Sequence, residues 1–155
     1  MVCIFLTSTL KIGGKSMNED QLFEAANQAL QAQAFSQLIG TELEVYKPGE
    51  VVLSIPIKDQ LLQQHQFVHG GVVSYAADNA LTFAGGSMLG HNVLTSEYKI
   101  NYIRPALGIK LIARASVVHA GKRQAVCRCD VFVQDAEDKE KLCATSQGTI
   151  ISISS

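Results

Sequence analysis

The chain has no tryptophan, only 6% aromatic residues and almost no net charge, with 13 Lys and Arg against 14 Asp and Glu. Without a basic excess it lacks the means for non-specific phosphate binding, so a nucleic-acid partner is not expected. No apolar run approaches the roughly 20 residues that a membrane-spanning helix requires, so a membrane partner is not expected either. The four cysteines, Cys3, Cys127, Cys129 and Cys143, show no zinc-type spacing and read as buried free thiols, and no metal ligand set is found. There is no G-x-S-x-G elbow, and no cysteine is flanked by residues that would lower its pKa, which argues against a serine or cysteine nucleophile. The opening MVCIFLTSTLKIGGKS carries no basic residue ahead of its short apolar run, so it does not read as a secretory signal. A cytoplasmic location is expected. No repeat or linker divides the chain: residues 1–17 read as a disordered extension and 18–155 as one domain.

Within that domain the apolar pattern changes period. Asn18 is placed to cap a helix over NEDQLFEAANQALQAQAFSQLIG, ended by Gly40. Thr41 to Tyr46 and Val51 to Ile57 read as a strand hairpin about KPGE, with Pro56 at its end. After a polar loop and a second helix come four segments rich in Val, Ile and Tyr: Val93 to Ile103, Ile109 to His119, Lys122 to Gln134 and Leu142 to Ile153. Their short connections imply antiparallel neighbours. One apolar helix among that much sheet is buried only if the sheet curls around it, so the class is α+β.

That second helix, from His69 to about Gly86 and ended by Gly85, Gly86 and Gly90, organises the chain. It is apolar nearly all round, yet it holds Asp78, with Ser74 and Thr82 one turn to either side on the same stripe. A carboxylate there is costly unless it is bonded, so its presence points to function. Gly70 and Gly71 leave bare N–H groups at the helix start, where unpaired donors and the positive dipole end favour an anion or a polarised carbonyl oxygen. Structural alternatives stand beside these readings. Asp78 can be a bonded structural carboxylate, His69 a helix cap, and Ser74 and Thr82 side chains bonded back to the preceding turn.

H-G-G followed at the ninth position by an acid, in a helix wrapped by a strand meander, resembles the hotdog-fold acyl-CoA thioesterases of the phenylacetyl-CoA and hydroxybenzoyl-CoA (PaaI-like) type. HGGVVSYAAD, SEYKINYIRPA, VHAGKR and ATSQGTI all sit where that family has counterparts, from about Gly40 to Ile153. The resemblance implies a hotdog fold, a curved antiparallel sheet of about six strands around the helix 69–86, with an N-terminal helix. It implies hydrolysis of an acyl- or aryl-CoA thioester, with coenzyme A entering only as part of the substrate and no cofactor. Asp78 would be the general base or nucleophile, and the Gly70 N–H the oxyanion donor. His69 and Gln63 would help place the thioester, and Thr82 would orient water. Gly71, Tyr75, Phe83 and Tyr102 would contact substrate, and Arg104, Lys122 and Arg123 would meet the CoA phosphates. Some relatives have Asn at Gln63 and Glu at Asp78. A hotdog dehydratase, or an acyl-CoA sensor without turnover, are the alternatives.

Helix geometry adds a constraint. Gly70 and Asp78 are eight residues apart, about 12 Å along one helix at 1.5 Å per residue, too far to act on one thioester. An antiparallel second copy would bring one chain's Gly70 opposite the other's Asp78, so a homodimer is expected. The resemblance adds pairing of dimers into tetramers.

Overall fold

The computed structural model describes residues 3–4, 18–90 and 92–153. Helix α1 (Glu19–Gln31) starts as expected: Asn18 accepts the Gln21 N–H at 2.8 Å, and Gln21 accepts the Asn18 N–H at 3.1 Å. This reciprocal cap satisfies two donors at the helix start. The helix does not continue to Ile39. It breaks at Ala32 and Gln33 and resumes as α2 (Ala34–Ile39), because Gln33 takes an extended backbone (φ −84°, ψ 107°) that swings its side chain and Ser36 toward the central helix. Tertiary hydrogen bonding overrides a continuous helical pattern here.

Strands β2 (Glu42–Lys47) and β3 (Glu50–Pro56) form the hairpin, and β4 (Val93–Tyr102), β5 (Lys110–Ala120), β6 (Gln124–Gln134) and β7 (Glu140–Ser152) form the long strands. A two-residue strand β1 (Cys3–Ile4) pairs with Val93 and Leu94, giving one antiparallel sheet in the order β1-β4-β7-β6-β5-β3-β2. The curved sheet around one helix, with an N-terminal helix, is the architecture the sequence implied, β1 being the addition. The reading of residues 1–17 otherwise lies outside the described residues, as does the Cys3 side chain.

The sheet wraps α3 (Gly70–Leu89), which packs on strands β3 to β7. In β6 alternate side chains are buried: Ala125, Cys127, Cys129, Val131 and Val133. Gly85 does not end the helix. It lies inside it because a Cβ there would stand 2.6 Å from Cβ of Ile150, so only glycine allows helix and sheet to approach this closely. Among the described residues no helix is long and apolar enough to cross a membrane.

One irregularity positions the site. Thr95 pairs with Ile150 and Glu97 with Thr149, so Ser96 is an extra residue in β4. A bulge of this kind shifts the side-chain alternation by one. Tyr98 and Ile100 therefore pack inward on the same side as Thr95, while Glu97 faces outward and accepts the Thr149 hydroxyl at 2.6 Å. Gly148, opposite Tyr98, has no room for a Cβ, which would lie 2.6 Å from Tyr98 Cβ.

Candidate active site

The start of α3 opens on a cleft of about 360 Å³. His69 caps the helix through Nδ1, which accepts the Gly71 N–H at 3.0 Å, and its carbonyl accepts from Val72 and Val73. This is the capping role of the two readings of His69. The Gly70 N–H, which lines the cleft, has no acceptor within hydrogen-bond reach among the described residues. Tyr102 donates its hydroxyl to the Gly70 carbonyl at 3.1 Å and fastens this end of the helix to β4.

The loop before α3 is itself a small hairpin. Leu62 bridges Val68, Gln63 donates its N–H to the Phe67 carbonyl at 2.8 Å, and Gln66 turns the chain at φ +63°. Gln63 consequently lines the cleft, while Gln64, His65 and Gln66 point to solvent. Arg104 lies at the mouth, its N–H held by the Cys143 carbonyl at 3.3 Å. The sequence-derived residues Gln63, Gly70, Tyr102 and Arg104 are thus gathered in one place.

Two turns along α3, Asp78 is only 7% exposed. Thr95 donates to its Oδ1 at 2.7 Å; Thr82 donates to the Asp78 carbonyl at 2.8 Å and meets the Thr95 hydroxyl at 2.7 Å. Burial pushes the Asp78 carboxyl up from its ordinary value, and the Thr95 hydrogen bond pulls it part of the way back. Ser74, on the same stripe, meets the Tyr98 hydroxyl.

Other expected residues lie elsewhere in the chain. Tyr75 faces away from the cleft: its hydroxyl donates to Ser36 at 2.6 Å and meets Thr41 at 3.0 Å, and its ring packs edge-on against Phe35. Phe83 is a core side chain, edge-on to Tyr46. Gly71 is exposed beside the His69 ring. Lys122 and Arg123 occupy the β5–β6 turn, where the Arg123 carbonyl accepts from Ser152. Tyr102 pairs with Ala144, eight residues back along β7, so the turn lies roughly 25 Å from Arg104 at 3.3 Å per residue. Within one chain the three cations cannot grip the same phosphates.

The sequence reading missed Thr95, and it missed Phe67, Pro105 and Cys143 as cleft walls. Cys127, Cys129 and Cys143 are buried and free, as expected; burial pushes the Cys127 thiol up to about 12 and Cys143 to about 11. No group of three or more His, Cys, Asp or Glu among the described residues is placed to hold a metal ion.

Residues 65–139 match the family model of the thioesterase superfamily. The chain is 30% identical over 102 residues to the acyl-coenzyme A thioesterase PaaI of Escherichia coli, covering 65% of this chain and 72% of that one. A thioesterase family protein from Silicibacter pomeroyi superposes with a TM-score of 0.78 at 30% identity, over 81% of this chain and 93% of its own. The solved Escherichia coli PaaI structure superposes with a TM-score of 0.74 at 26% identity, over 86% and 96%. On these matches the chain belongs to the thioesterase superfamily, in its PaaI-like hotdog branch.

Proposed function

We propose that the protein hydrolyses an acyl- or aryl-CoA thioester to a free carboxylic acid and coenzyme A. The observation that carries this reading is the combination on α3 of an unengaged N–H opening on a cleft and, two turns on, a desolvated carboxylate held by a hydroxyl. The similarity to an acyl-CoA thioesterase supports it. In this reading the Gly70 N–H receives the negative charge that develops on the thioester oxygen, where a positioned donor is worth far more than water. Asp78 takes a proton from the attacking water or attacks the carbonyl carbon itself. The burial that raises its pKa also makes it a better proton acceptor than an exposed carboxylate. Gln63 places the thioester, and Arg104 meets a CoA phosphate at the cleft mouth. No cofactor is required beyond the CoA of the substrate.

The reading requires two copies of the chain, because about 12 Å of helix separates Gly70 from Asp78. The outer edge of β4 beyond Leu94 has no neighbouring strand among the described residues, and an edge of that length invites pairing. Joining two β4 edges about a two-fold axis would lay the α3 helices antiparallel and make two composite sites.

Complementation tests this. Gly70→Pro, which deletes the N–H, and Asp78→Asn are each expected to be inactive on a panel of acetyl, medium-chain, long-chain and aromatic CoA esters. Co-expressed, they are expected to regain activity from one intact site per heterodimer. Heterodimers of folded chains without recovered activity refute the shared site. A wild-type protein that binds the esters and hydrolyses none of them is a binding module instead.

A further inference from the structure

The H-G-G start of α3 is held at every backbone polar group but one. His69, Gly70 and Gly71 are joined by two peptide units, each a planar group with one carbonyl and one N–H. In the first unit the His69 carbonyl accepts the Val72 and Val73 N–H groups at 2.9 and 3.3 Å. In the second the Gly70 carbonyl accepts the Tyr102 hydroxyl at 3.1 Å, and the Gly71 N–H donates to His69 Nδ1 at 3.0 Å. The Gly70 N–H is the group left over, and it lines the cleft.

Two glycines make this helix start loose, and they are not equivalent. A Cβ at Gly71 would stand 3.0 Å from His69 Nδ1, so the capping ring itself demands glycine there. A Cβ at Gly70 would stand 3.7 Å from the Tyr102 ring, an ordinary contact. Neither residue restricts its own φ and ψ, and helix ends fray, so an unheld start would swing the Gly70 N–H out of the cleft. Tyr102 supplies the hold from a fixed base. It is the last residue of β4, paired with Ala144 of β7, and the next two residues donate to the Cys143 carbonyl at 2.8 and 3.3 Å. At 55% exposure its hydroxyl would be served as well by water, so the bond to Gly70 adds little to stability.

We infer that Tyr102 is a positioning residue for the oxyanion donor: its hydroxyl holds the Gly70–Gly71 peptide so that the Gly70 N–H stays aimed into the cleft. The inference rests on the proposed role of Gly70. A donor fixed beforehand stabilises developing charge with no reorganisation at the moment of reaction, and that is how a hydroxyl bonded only to the backbone acts on rate. The same bond ties the donor to β4, the strand whose free edge is proposed to meet the second copy. Gly70 is thereby referenced to the element that decides where the partner's Asp78 arrives.

The test is Tyr102→Phe, which keeps the ring and removes the hydroxyl. Its kcat on a CoA ester is expected to fall about tenfold, a part of the roughly 10²–10³ lost when an oxyanion donor is deleted, with KM and the thermal midpoint unchanged. A lowered midpoint at wild-type kcat would make the bond structural, and a raised KM at wild-type kcat would make Tyr102 a substrate contact; either overturns the inference. Selective nitrogen-15 labelling of glycine gives a reading without turnover. The Gly71 amide, bonded to His69, is expected to exchange with solvent severalfold faster in Tyr102→Phe. Wild-type kcat with unchanged Gly71 exchange also overturns the inference. Full activity in folded Gly70→Pro would instead remove the reading of Gly70, and the exchange rate would still report whether Tyr102 holds the turn.

Discussion

The central helix carries two polar stripes about 100° apart around its axis, and they differ in kind. One is Ser74, Asp78 and Thr82, facing Thr95 and Tyr98 of β4. The other is Tyr75 and Asn79, facing Gln33, Ser36 and Thr41 around the α1–α2 junction. In the second, Asn79 donates to the Tyr75 hydroxyl at 2.9 Å and to Gln33 Oε1 at 3.3 Å, and Ser36 donates to Gln33 Oε1 at 2.5 Å. Both stripes are buried and both tie the helix to a neighbour. Only the first contains a carboxylate, and burial works against its charge. A neutral cluster that fixes the break between α1 and α2 is sufficiently explained by stability. A buried carboxylate is not, since an apolar or amide side chain would cost less in the same place.

The contrast is sharpest for Asp78→Asn. Activity on a CoA ester is expected to fall by about 10²-fold or more, as for loss of a positioned proton acceptor, while the thermal midpoint at neutral pH stays the same or rises. The sign follows from the raised carboxyl pKa. The folded state holds the Asp78 proton more tightly than the unfolded chain, so its stabilising contribution is complete below the unfolded pKa and is lost as pH rises through the folded one. Melting curves should therefore show wild type gaining on Asp78→Asn as pH falls from about 7 toward about 4. A variant destabilised at neutral pH would place Asp78 with the structural stripe.

Asn79→Ala is expected to do the reverse, costing about 1–2 kcal/mol in denaturant unfolding while kcat is kept. Its side chain is fully buried, but Oδ1 has no partner among the described residues, which holds the cost down. Loss of kcat without loss of stability would mean that the two stripes work together. The smallest effect is expected for Tyr75→Phe, about 1 kcal/mol, because Ser36 and Asn79 keep their contacts to Gln33. Unchanged kinetics would place Tyr75 outside the substrate contacts that its position in the family motif implies.

The sequence exposes these stripes unequally, for a physical reason. Asp78 stands out because a charge in an apolar run violates patterning, and Gly70 because two glycines at a helix start have few structural uses. Tyr75 and Asn79 violate nothing. Tyr75 passes for an apolar side chain, and the partners that give Asn79 its role are on a helix more than 40 residues earlier, at a break with no local signal. The strands are legible in their order and approximate ends because alternation and short turns are local properties. The placement of Thr95 is not, since a bulge is defined by pairing with another strand and a threonine in a strand is unremarkable. The distance of Lys122 and Arg123 from Arg104 within the chain is hidden for the same reason: nothing local states how far a turn lies from another strand end.

The extra residue at Ser96 also fixes the register of everything that follows it in β4. Pairing Ser96 regularly, without the bulge, would send Tyr98, Ile100 and Tyr102 to the outer face and turn Glu97 toward the helix. A slip of the stretch from Ser96 to Tyr102 into regular pairing would undo the hold on Ser74 and the fastening of Gly70 together. The β6–β7 turn, where Ala136 to Lys139 are solvent-exposed, has no such arithmetic and can lengthen or shorten at little cost. Length is thus free to vary in that turn, while the stretch from Ser96 to Tyr102 works only in one register.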